Sequence, residues 1–358
     1  MKLRHFEELA PVCPQCRTRG ETSSLTLSRR EVVEDSTIIE GILTCTAPEC
    51  QCEFPIIDGV PILLADVRTY IANNHQSLAR RRDLSPSLDS LLAECAGPGS
   101  WDEATRQHLS GAVWDHFAEF DPAERPSMGK PGAIARVIAA AADRSAFTTP
   151  GPALDIGCGV ARSSLEIAAK TNQLTLGIEL HSAMARVAQQ LLRTGRIDYQ
   201  RRISGILYDR REFAVPLPEA AELVDVWIMD ALNPCVRAAT FGSISCLNVI
   251  DCMTSPLALL TNIAHLLKPG AHAAIATPFD WSANVTAIES WLGGHSPRGY
   301  FNGRSEDILA AILTPNAHPA SIEGLALKSD SRDIPWHVRL HERALMQYML
   351  QMVVVRKA

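Results

Sequence analysis

Residues 153–164 read ALDIGCGVARSS, a pattern typical of a strand, a tight turn and the start of a helix. Apolar residues flank Asp155, and Gly157 and Gly159 follow within the turn. Glycine has no Cβ and tolerates positive φ, so a ligand can approach the backbone of such a turn closely. A helical segment and a second apolar run come next, and Glu179 ends that run. Strands that alternate with helices of this length predict a parallel, doubly wound sheet whose ligand lies beyond the carboxyl ends of the strands.

Two nucleotide-binding patterns share a glycine turn of this kind. The nicotinamide dinucleotide fingerprint has a third glycine three residues after the second, where Arg162 stands in this chain. Glu179 follows Gly159 by 20 residues, at a strand end where a carboxylate can accept hydrogen bonds from both ribose hydroxyls. The pattern D-x-G-x-G with an acidic strand end resembles class I S-adenosylmethionine-dependent methyltransferases.

Three further segments follow in the order of this family. The adenine contacts of the family correspond to Asp230 and Ala231 in AELVDVWIMDALNP, and its fourth strand corresponds to SISCLNVIDCM, which contains Asn248. The helix, turn and strand that come next correspond to HLLKPGAHAAIATPF. The resemblance implies S-adenosylmethionine as the cofactor, and it implies these cofactor-binding residues: Asp155, Gly157, Gly159, Glu179, Asp230, Ala231 and Asn248.

Several strings in the second half of the chain are typical of one subgroup. They are ARSS at 161–164, DALNP at 230–234, LNVIDCM at 247–253, TPFDW at 277–281, WLGG at 291–294 and DIPWHVRLHER at 333–343. Together they resemble the methyltransferase domain of ovothiol biosynthesis, which methylates an imidazole nitrogen of a thiol-bearing histidine. The resemblance implies a small polar acceptor, histidine-like or otherwise derived from an amino acid, in a specialised metabolite pathway.

The predicted catalytic residues come from segment 336–343. A methyl sulfonium is already activated, so the protein must chiefly align the acceptor and exclude water. An acceptor that carries a proton also needs a base. We expect the segment to form a strand near the acceptor, and we select His337, Arg339 and Glu342 from it, with Arg339 binding a substrate carboxylate. The alternative interpretation is a surface hairpin with ordinary ion pairs. Other candidate bases are His341, Asp251 and Asp280.

The start of the chain is rich in cysteine, since five of the ten cysteines precede residue 53. Cys13 and Cys16 form a CxxC knuckle, and TCTAPECQCEF follows about thirty residues later. Four thiolates in two pairs can surround a tetrahedral zinc with Zn–S bonds of about 2.3 Å. A disulfide is disfavoured without a secretion signal, and a redox CxxC lacks its usual βαβ surroundings.

The knuckles are followed by FPIIDGVPILL at 54–64, and the whole resembles the zinc-ribbon domain related to the activator subunit of tRNA and protein methyltransferases. We expect a structural zinc whose ligands are Cys13, Cys16, Cys45 and Cys50. Cys52 is the alternative fourth ligand. A closed tetrathiolate site leaves no position for substrate, so this zinc would serve folding or docking.

The length of 358 residues predicts two or three structural units. We place a zinc ribbon at 1–66, a helical connector or lid at 67–148 and the methyltransferase domain at 149–358. The predicted fold class is α/β: a doubly wound, Rossmann-like methyltransferase sheet with an antiparallel last strand, preceded by a small β-rich zinc ribbon and a helical connector. Trp114, Phe117 and Phe120 in the connector could line a substrate entrance, but their helical spacing favours core packing.

Composition restricts the partners. Hydrophobic residues make up 46% of the chain, mean hydropathy is +0.01 and net charge is −6, which disfavours nucleic acid. Residues 1–10 resemble no signal peptide, and no run of about 18 apolar residues could span a bilayer. We expect a cytoplasmic enzyme with a small-molecule substrate and no membrane partner, and the oligomeric state stays open. The alternatives are a methyltransferase acting on RNA or a translation-related protein, and a binding protein without catalysis.

Overall fold

The computed structural model describes residues 1–79, 84–124 and 129–358. Residues 80–83 and 125–128 belong to the predicted connector and lie outside the described residues. The first part of the chain is a β meander with two short helices, which agrees with the alternating pattern between the cysteine pairs. Its elements are α1 Leu3–Leu9, α2 Pro14–Arg17, β1 Leu25–Glu34, β2 Thr37–Cys45, β3 Glu53–Ile57 and β4 Val60–Leu63.

The connector is helical. Ser100 caps the long helix of this region, since its side chain accepts a hydrogen bond from the backbone N–H of Glu103. Trp114 and Phe117 on that helix are completely buried, so core packing is confirmed for both. The helices are α3 Val67–Ala79, α4 Pro86–Ala96, α5 Trp101–Phe117 and α6 Ala133–Ala142.

The second half of the chain alternates strands and helices, as the βα pattern predicts. Its helices are α7 Arg162–Thr171, α8 Ser182–Thr194, α9 Pro256–Leu266 and α10 Ser305–Ile312. Its strands are β5 Ala153–Ile156, β6 Thr175–Ile178, β7 Arg196–Ser204, β8 Leu207–Ala214, β9 Val224–Met229, β10 Phe241–Leu247, β11 Leu267–Thr277, β12 Leu325–His341 and β13 Ala344–Lys357. Short 3₁₀ turns lie at Ala118–Phe120, Glu219–Leu223, Ile250–Cys252 and Ile288–Ser290. The segment Tyr300–Gly303 is an irregular turn with left-handed backbone at Phe301 and Asn302.

One large sheet organises the molecule. Within the described residues its strand order is β1-β2-β3-β4-β9-β6-β5-β10-β11-β13-β12. The run from β4 to β11 is parallel, and β13 inserts antiparallel between β11 and β12. Strands β5, β6, β9 and β10 are buried along their whole length, as expected for a parallel sheet covered on both faces. The predicted fold class, including the antiparallel last strand, is confirmed.

The cysteine-rich unit shares this sheet with the α/β unit. Strand β4 pairs in parallel with β9, with Ile62 opposite Ile228 and Leu63 opposite Met229. The backbone groups at the edge of β9 are therefore bonded to another strand rather than left open. The domain boundaries stay a prediction. In the structure, the hydrogen bonds of the sheet continue from the cysteine-rich unit into the α/β unit through the pairing of β4 with β9.

A separate hairpin of β7 and β8 packs beside α5 and β12. The side-chain oxygen of Ser110 on α5 accepts a hydrogen bond from the backbone N–H of Arg202 at 2.9 Å. The guanidinium of Arg339 on β12 donates to the carbonyl oxygen of Arg202 at 2.8 Å. These contacts join α5, the hairpin and β12 into a cover over the carboxyl ends of the parallel strands.

Candidate functional site

A cavity of about 660 Å³ lies between this cover and the carboxyl ends of β5, β6, β9 and β10. Pockets for small ligands and cofactors usually measure about 300–1,000 Å³, and in open α/β sheets they lie at this edge. The floor is formed by strand-end residues, among them Gly157, Glu179, Asp230 and Asn248. Six of the seven predicted cofactor-binding residues line the cavity, all except Asp155.

The glycine turn forms part of the cavity wall. Gly157 and Gly159 have φ values of +69° and +56°, which residues with a Cβ rarely adopt. A Cβ at Gly157 would collide with Val249, and one at Gly159 would lie 3.1 Å from Cε1 of His116. Glycine therefore lets the turn pack closely against Val249 and His116 in the cavity wall.

Asp155 lies behind the turn. Its buried carboxylate accepts hydrogen bonds from the hydroxyls of Ser163, Ser164 and Ser245 at 2.5–2.6 Å. Burial raises the pKa of Asp155, and the three hydroxyls partly offset that effect. The sequence prediction grouped Asp155 with the cofactor contacts. In the structure its oxygens bond to serine side chains of α7 and β10, which hold these two elements against β5.

Glu179 stands at the end of β6 and faces the cavity. One carboxylate oxygen accepts the N–H of Gly159 at 2.9 Å and the other accepts the N–H of His181 at 2.8 Å. Burial raises the pKa of this carboxyl, and the backbone N–H groups favour its ionised form. Its remaining lone pairs suit a diol such as a ribose.

The loop after β9 forms the adjacent wall. Asp230 accepts the N–H of Leu232 at 2.8 Å, and the side chain of Asn262 donates to the carbonyl oxygens of Ala231 and Leu232 at 2.9 and 3.0 Å. Asn248, at the end of β10, has φ of +55°. Its side-chain oxygen is buried and has no hydrogen-bond partner among the described residues, so it is available to a ligand.

The three predicted catalytic residues do not come together. Arg339 is buried and lines the cavity, but His337 lies against Lys130 and Gln347, with nitrogen-to-partner distances of 3.3 and 3.2 Å. Glu342 is exposed in the turn after β12. His337 and Arg339 are two residues apart in a stretch of β12 that pairs regularly with β13, so strand alternation places them on the same face. Their surroundings differ because Arg339 bonds to Arg202 of the β7–β8 hairpin, whereas His337 lies next to Lys130 and Gln347. Among the described residues, Arg339 is the one of the three that lines the cavity.

The tryptophans of the TPFDW and WLGG strings lie outside the cavity lining of the described residues. Trp281 and Trp291 stack on each other with their ring centres 5.7 Å apart. Asp251 accepts the N–H of Asp280 at 2.8 Å, and Asp280 accepts the hydroxyl of Tyr348 at 2.8 Å. These side chains hold the loop after β11 in place.

Helix α5 supplies cavity residues that the sequence prediction missed. His116 accepts the N–H of Arg162 at its Nδ1 atom at 3.4 Å, which leaves Nε2 to carry the ring proton. Burial, together with the charge of Arg162, lowers the pKa of His116 to about 3, so the ring is neutral. Helical spacing was the available signal, since the residues lie on one face: Ala104, Gln107, His108, Gly111, Ala112, Asp115 and His116.

Four cysteines converge in the cysteine-rich unit. The sulfur atoms of Cys13 and Cys50 are 3.8 Å apart and those of Cys16 and Cys45 are 3.7 Å apart. All four sulfurs lie within 4.8 Å of one another, and Cys52 is outside this group among the described residues. Zn–S bonds of about 2.3 Å at tetrahedral angles require sulfur atoms about 3.7 Å apart. The donor set and its spacing therefore fit zinc.

The sequence matches a protein-family model over a long segment. The family model described as a methyltransferase domain matches residues 129–315, more than half of the chain. No curated protein matches the sequence. No helix of the described residues has the length and apolar character needed to cross a membrane.

Several solved structures resemble the chain at low sequence identity. The cyclase SpnF is 14% identical with a TM-score of 0.45, over 75% of this chain and 95% of that one. A structure described under the conversion of a disulfide bond into a thioacetal group during echinomycin biosynthesis is 16% identical with a TM-score of 0.41. The match covers 62% of this chain and 80% of that one. An S-adenosylmethionine-dependent methyltransferase from Aquifex aeolicus is 12% identical with a TM-score of 0.39, over 72% and 100%. Such identities carry no information about substrate.

Proposed function

We propose that this chain, which belongs to the methyltransferase-domain family and is an S-adenosylmethionine-dependent methyltransferase, acts on a nitrogen or sulfur of a small polar acceptor, histidine-like or otherwise derived from an amino acid. The observation that carries the proposal is the covered cavity. Its volume of about 660 Å³ suits a nucleoside cofactor and a small second ligand. Its walls carry buried polar groups rather than an open basic surface.

The cofactor half of the cavity is assigned to β5, β6 and β9. S-adenosylmethionine supplies an activated methyl group on a sulfonium sulfur. Glu179 would accept the ribose hydroxyls, Asp230 and Ala231 would contact the adenine, and Gly157 and Gly159 would lie against the methionine part. Asp155 would act indirectly, because its carboxylate binds serine hydroxyls on the elements next to the glycine turn.

The acceptor half is assigned to β10, β12 and α5. The sequence prediction grouped Asn248 with the cofactor-binding residues, and we reassign it to the acceptor because it ends β10. Its unpaired side-chain oxygen would accept a hydrogen bond from an acceptor N–H, and Trp336 would pack against a planar ring. Arg339 and Arg202 line the same region, and a carboxylate on the acceptor would complement their charge. His337 and Glu342 stay predictions from the sequence.

We further propose a structural zinc held by Cys13, Cys16, Cys45 and Cys50. The sulfur spacing supports this ligand set over one containing Cys52. Four thiolates close the coordination sphere, so the ion would stabilise the ribbon without contacting the acceptor.

The test is transfer of labelled methyl groups from S-adenosylmethionine to histidine, thiol-histidines and related heteroaromatic amino acids. We expect turnover with at least one of these acceptors and none with total RNA or protein. Glu179→Ala serves as the variant with impaired cofactor binding. Transfer to RNA or protein without transfer to any small acceptor would overturn the proposed substrate class.

A further inference from the structure

The cavity contains a buried carboxylate that the cofactor contacts leave unused. Among the described lining residues, the acidic side chains are Asp115, Glu179 and Asp230. Glu179 and Asp230 stand at the ends of β6 and β9, on the cofactor side. Asp115 belongs to α5 and is only 3% exposed. Burial of a carboxyl group is costly, so a position of this kind needs either a structural or a chemical reason.

Asp115 lies in the acceptor half of the cavity. Its side chain bonds to that of Trp336 on β12. Ile134 on α6 and Leu247 at the end of β10 line the same cavity and pack in one apolar cluster with Trp336. In the strand order, β10 and β12 lie on one side of β5, whereas β6 and β9 lie on the other. Asp115 is therefore separated from the ribose and adenine side by the glycine turn at the end of β5.

The hydrogen bonds of Asp115 leave part of its carboxylate free for proton transfer. One oxygen, Oδ1, accepts the backbone N–H of Ala133 at 3.2 Å, which satisfies a free donor in the first turn of α6. The backbone carbonyl of Asp115 accepts the N–H of Gly132 at 2.6 Å. The side chain of Trp336 is a second hydrogen-bond donor to this carboxylate. A carboxylate has about four lone-pair positions, so two donors leave its bonding incomplete.

Burial and the neighbouring donors and cations have opposite effects on the pKa of Asp115. Burial raises the pKa of Asp115 to about 7, although the N–H of Ala133, the charges of Arg136 and Arg162, and the Trp336 side chain oppose the rise. His116 next to it is neutral, and two further cations line the same cavity, namely Arg202 and Arg339. A general base is most effective when its pKa lies near the working pH.

We propose that Asp115 is the general base that accepts the proton of the methyl acceptor, an inference that rests on the proposed function. The lone pair of the acceptor nitrogen or sulfur forms a bond to the methyl carbon. The bond from that carbon to the sulfonium sulfur breaks, and its electron pair stays on the sulfur. The proton of the acceptor N–H or S–H passes to a carboxylate oxygen of Asp115. The acceptor then leaves methylated and neutral at that atom.

The main variant is Asp115→Asn in the full chain. Asparagine keeps the oxygen that accepts the N–H of Ala133 and nearly the same volume, but it cannot accept the proton. We expect S-adenosylmethionine affinity by calorimetry to stay within about twofold of the wild type, and kcat to fall about 100-fold or more. The rise of kcat with pH through neutrality in the wild type should disappear in the variant.

The matched control is Asp121→Asn. Asp121 is also buried, lies just beyond α5 and pairs with Arg211 at 2.6 Å outside the cavity lining. It should keep the wild-type pH profile and most of kcat. An Asp115→Asn enzyme with kcat within about threefold of the wild type and an unchanged pH profile would overturn the proposal, because removal of a general base costs more than that.

The wild type is assayed first with the small-acceptor panel and then with the low-molecular-weight metabolite fraction, total RNA and total protein. Transfer only to macromolecules would refute the proposed substrate class. The ratio of Asp115→Asn to wild type, measured on whichever acceptor turns over, still decides the role of Asp115. The two failures are therefore separate results.

Discussion

The side-chain amide of Asn233 donates a hydrogen bond to the carbonyl oxygen of Pro14 at 3.3 Å, which joins the loop after β9 to the first cysteine knuckle. A second bond runs from the N–H of Val12 to the carbonyl oxygen of Cys235 at 2.9 Å. The same loop begins with Asp230, on the proposed adenine side. The cysteine-rich unit therefore contacts the far side of the loop that begins at Asp230.

Loss of zinc should weaken cofactor binding as well as the ribbon. In Cys13→Ser, we expect less than stoichiometric zinc by elemental analysis, a lower melting temperature and weaker S-adenosylmethionine binding by calorimetry, because the knuckle no longer holds the loop that follows Asp230. Cys95→Ser is the control, since Cys95 is exposed on α4. Wild-type protein purified without stoichiometric zinc would contradict the metal assignment.

Glu179→Ala should weaken S-adenosylmethionine binding by about 1–3 kcal/mol, or about 5- to 150-fold, through the loss of charge-assisted hydrogen bonds. Calorimetry with the donor measures this directly. The control is Glu212→Ala, which removes an exposed ion pair with Arg196 and should have little effect. Equal affinities for the two variants would argue against the ribose role of Glu179.

Gly159→Ala should disrupt the cofactor turn. The new Cβ would lie 3.1 Å from Cε1 of His116, at a φ of +56° that costs about 1 kcal/mol for a residue with a Cβ. Gly205→Ala separates the two effects, because Gly205 has φ of +51° and open space around it. Both variants should lose similar backbone stability in thermal melts, and S-adenosylmethionine affinity should fall only in Gly159→Ala.

Asp115→Asn should gain stability at alkaline pH while it loses activity. The pKa of Asp115 is raised by burial from 3.8 in an exposed carboxyl to about 7 in the folded protein. The folded state therefore binds more protons than the unfolded state between these values, and this group makes stability fall as pH rises through that window. The melting temperature of the variant relative to wild type should be higher at about pH 8 than at about pH 5. A difference that does not change with pH would show that Asp115 does not titrate in this window.

Removal of residues 347–358 should prevent folding. Strand β13 lies between β11 and β12, and Leu350 and Met352–Val355 are fully buried within it. The truncated chain would lose hydrogen bonds on both sides of the strand and a large apolar surface. Circular dichroism and size-exclusion chromatography check this expectation, and a soluble, folded truncated protein would refute it.

The site could be predicted from sequence where its residues follow a short pattern. Gly157, Gly159 and Glu179 occupy a turn and a strand end, and such positions are encoded within a few neighbouring residues. The four cysteines are of the same kind, because zinc geometry restricts the spacing of each pair. Asp115 escaped the prediction because an acidic residue among apolar helix residues is typical of a solvated face, and only the packing of α5 against β12 shows that this face is covered.

The sequence by itself determined the alternation of strands and helices around the glycine turn, the turn itself and the grouping of Cys13, Cys16 and Cys45, since each depends on local periodicity, residue spacing or backbone freedom at particular glycines. The sulfur positions in the structure then placed Cys50 rather than Cys52 in the cysteine cluster. The tertiary structure alone decided that β4 extends the sheet at β9, that the β7–β8 hairpin joins the cover, and that Arg339 rather than His337 lines the cavity. Those outcomes depend on which distant edges and faces bury the most apolar surface and pair their backbone groups. His337 and Arg339 lie on the same face of β12, and contacts with distant segments decided their surroundings: Arg339 bonds to the β7–β8 hairpin, whereas His337 bonds to Lys130 and Gln347. No local pattern in the sequence records such contacts.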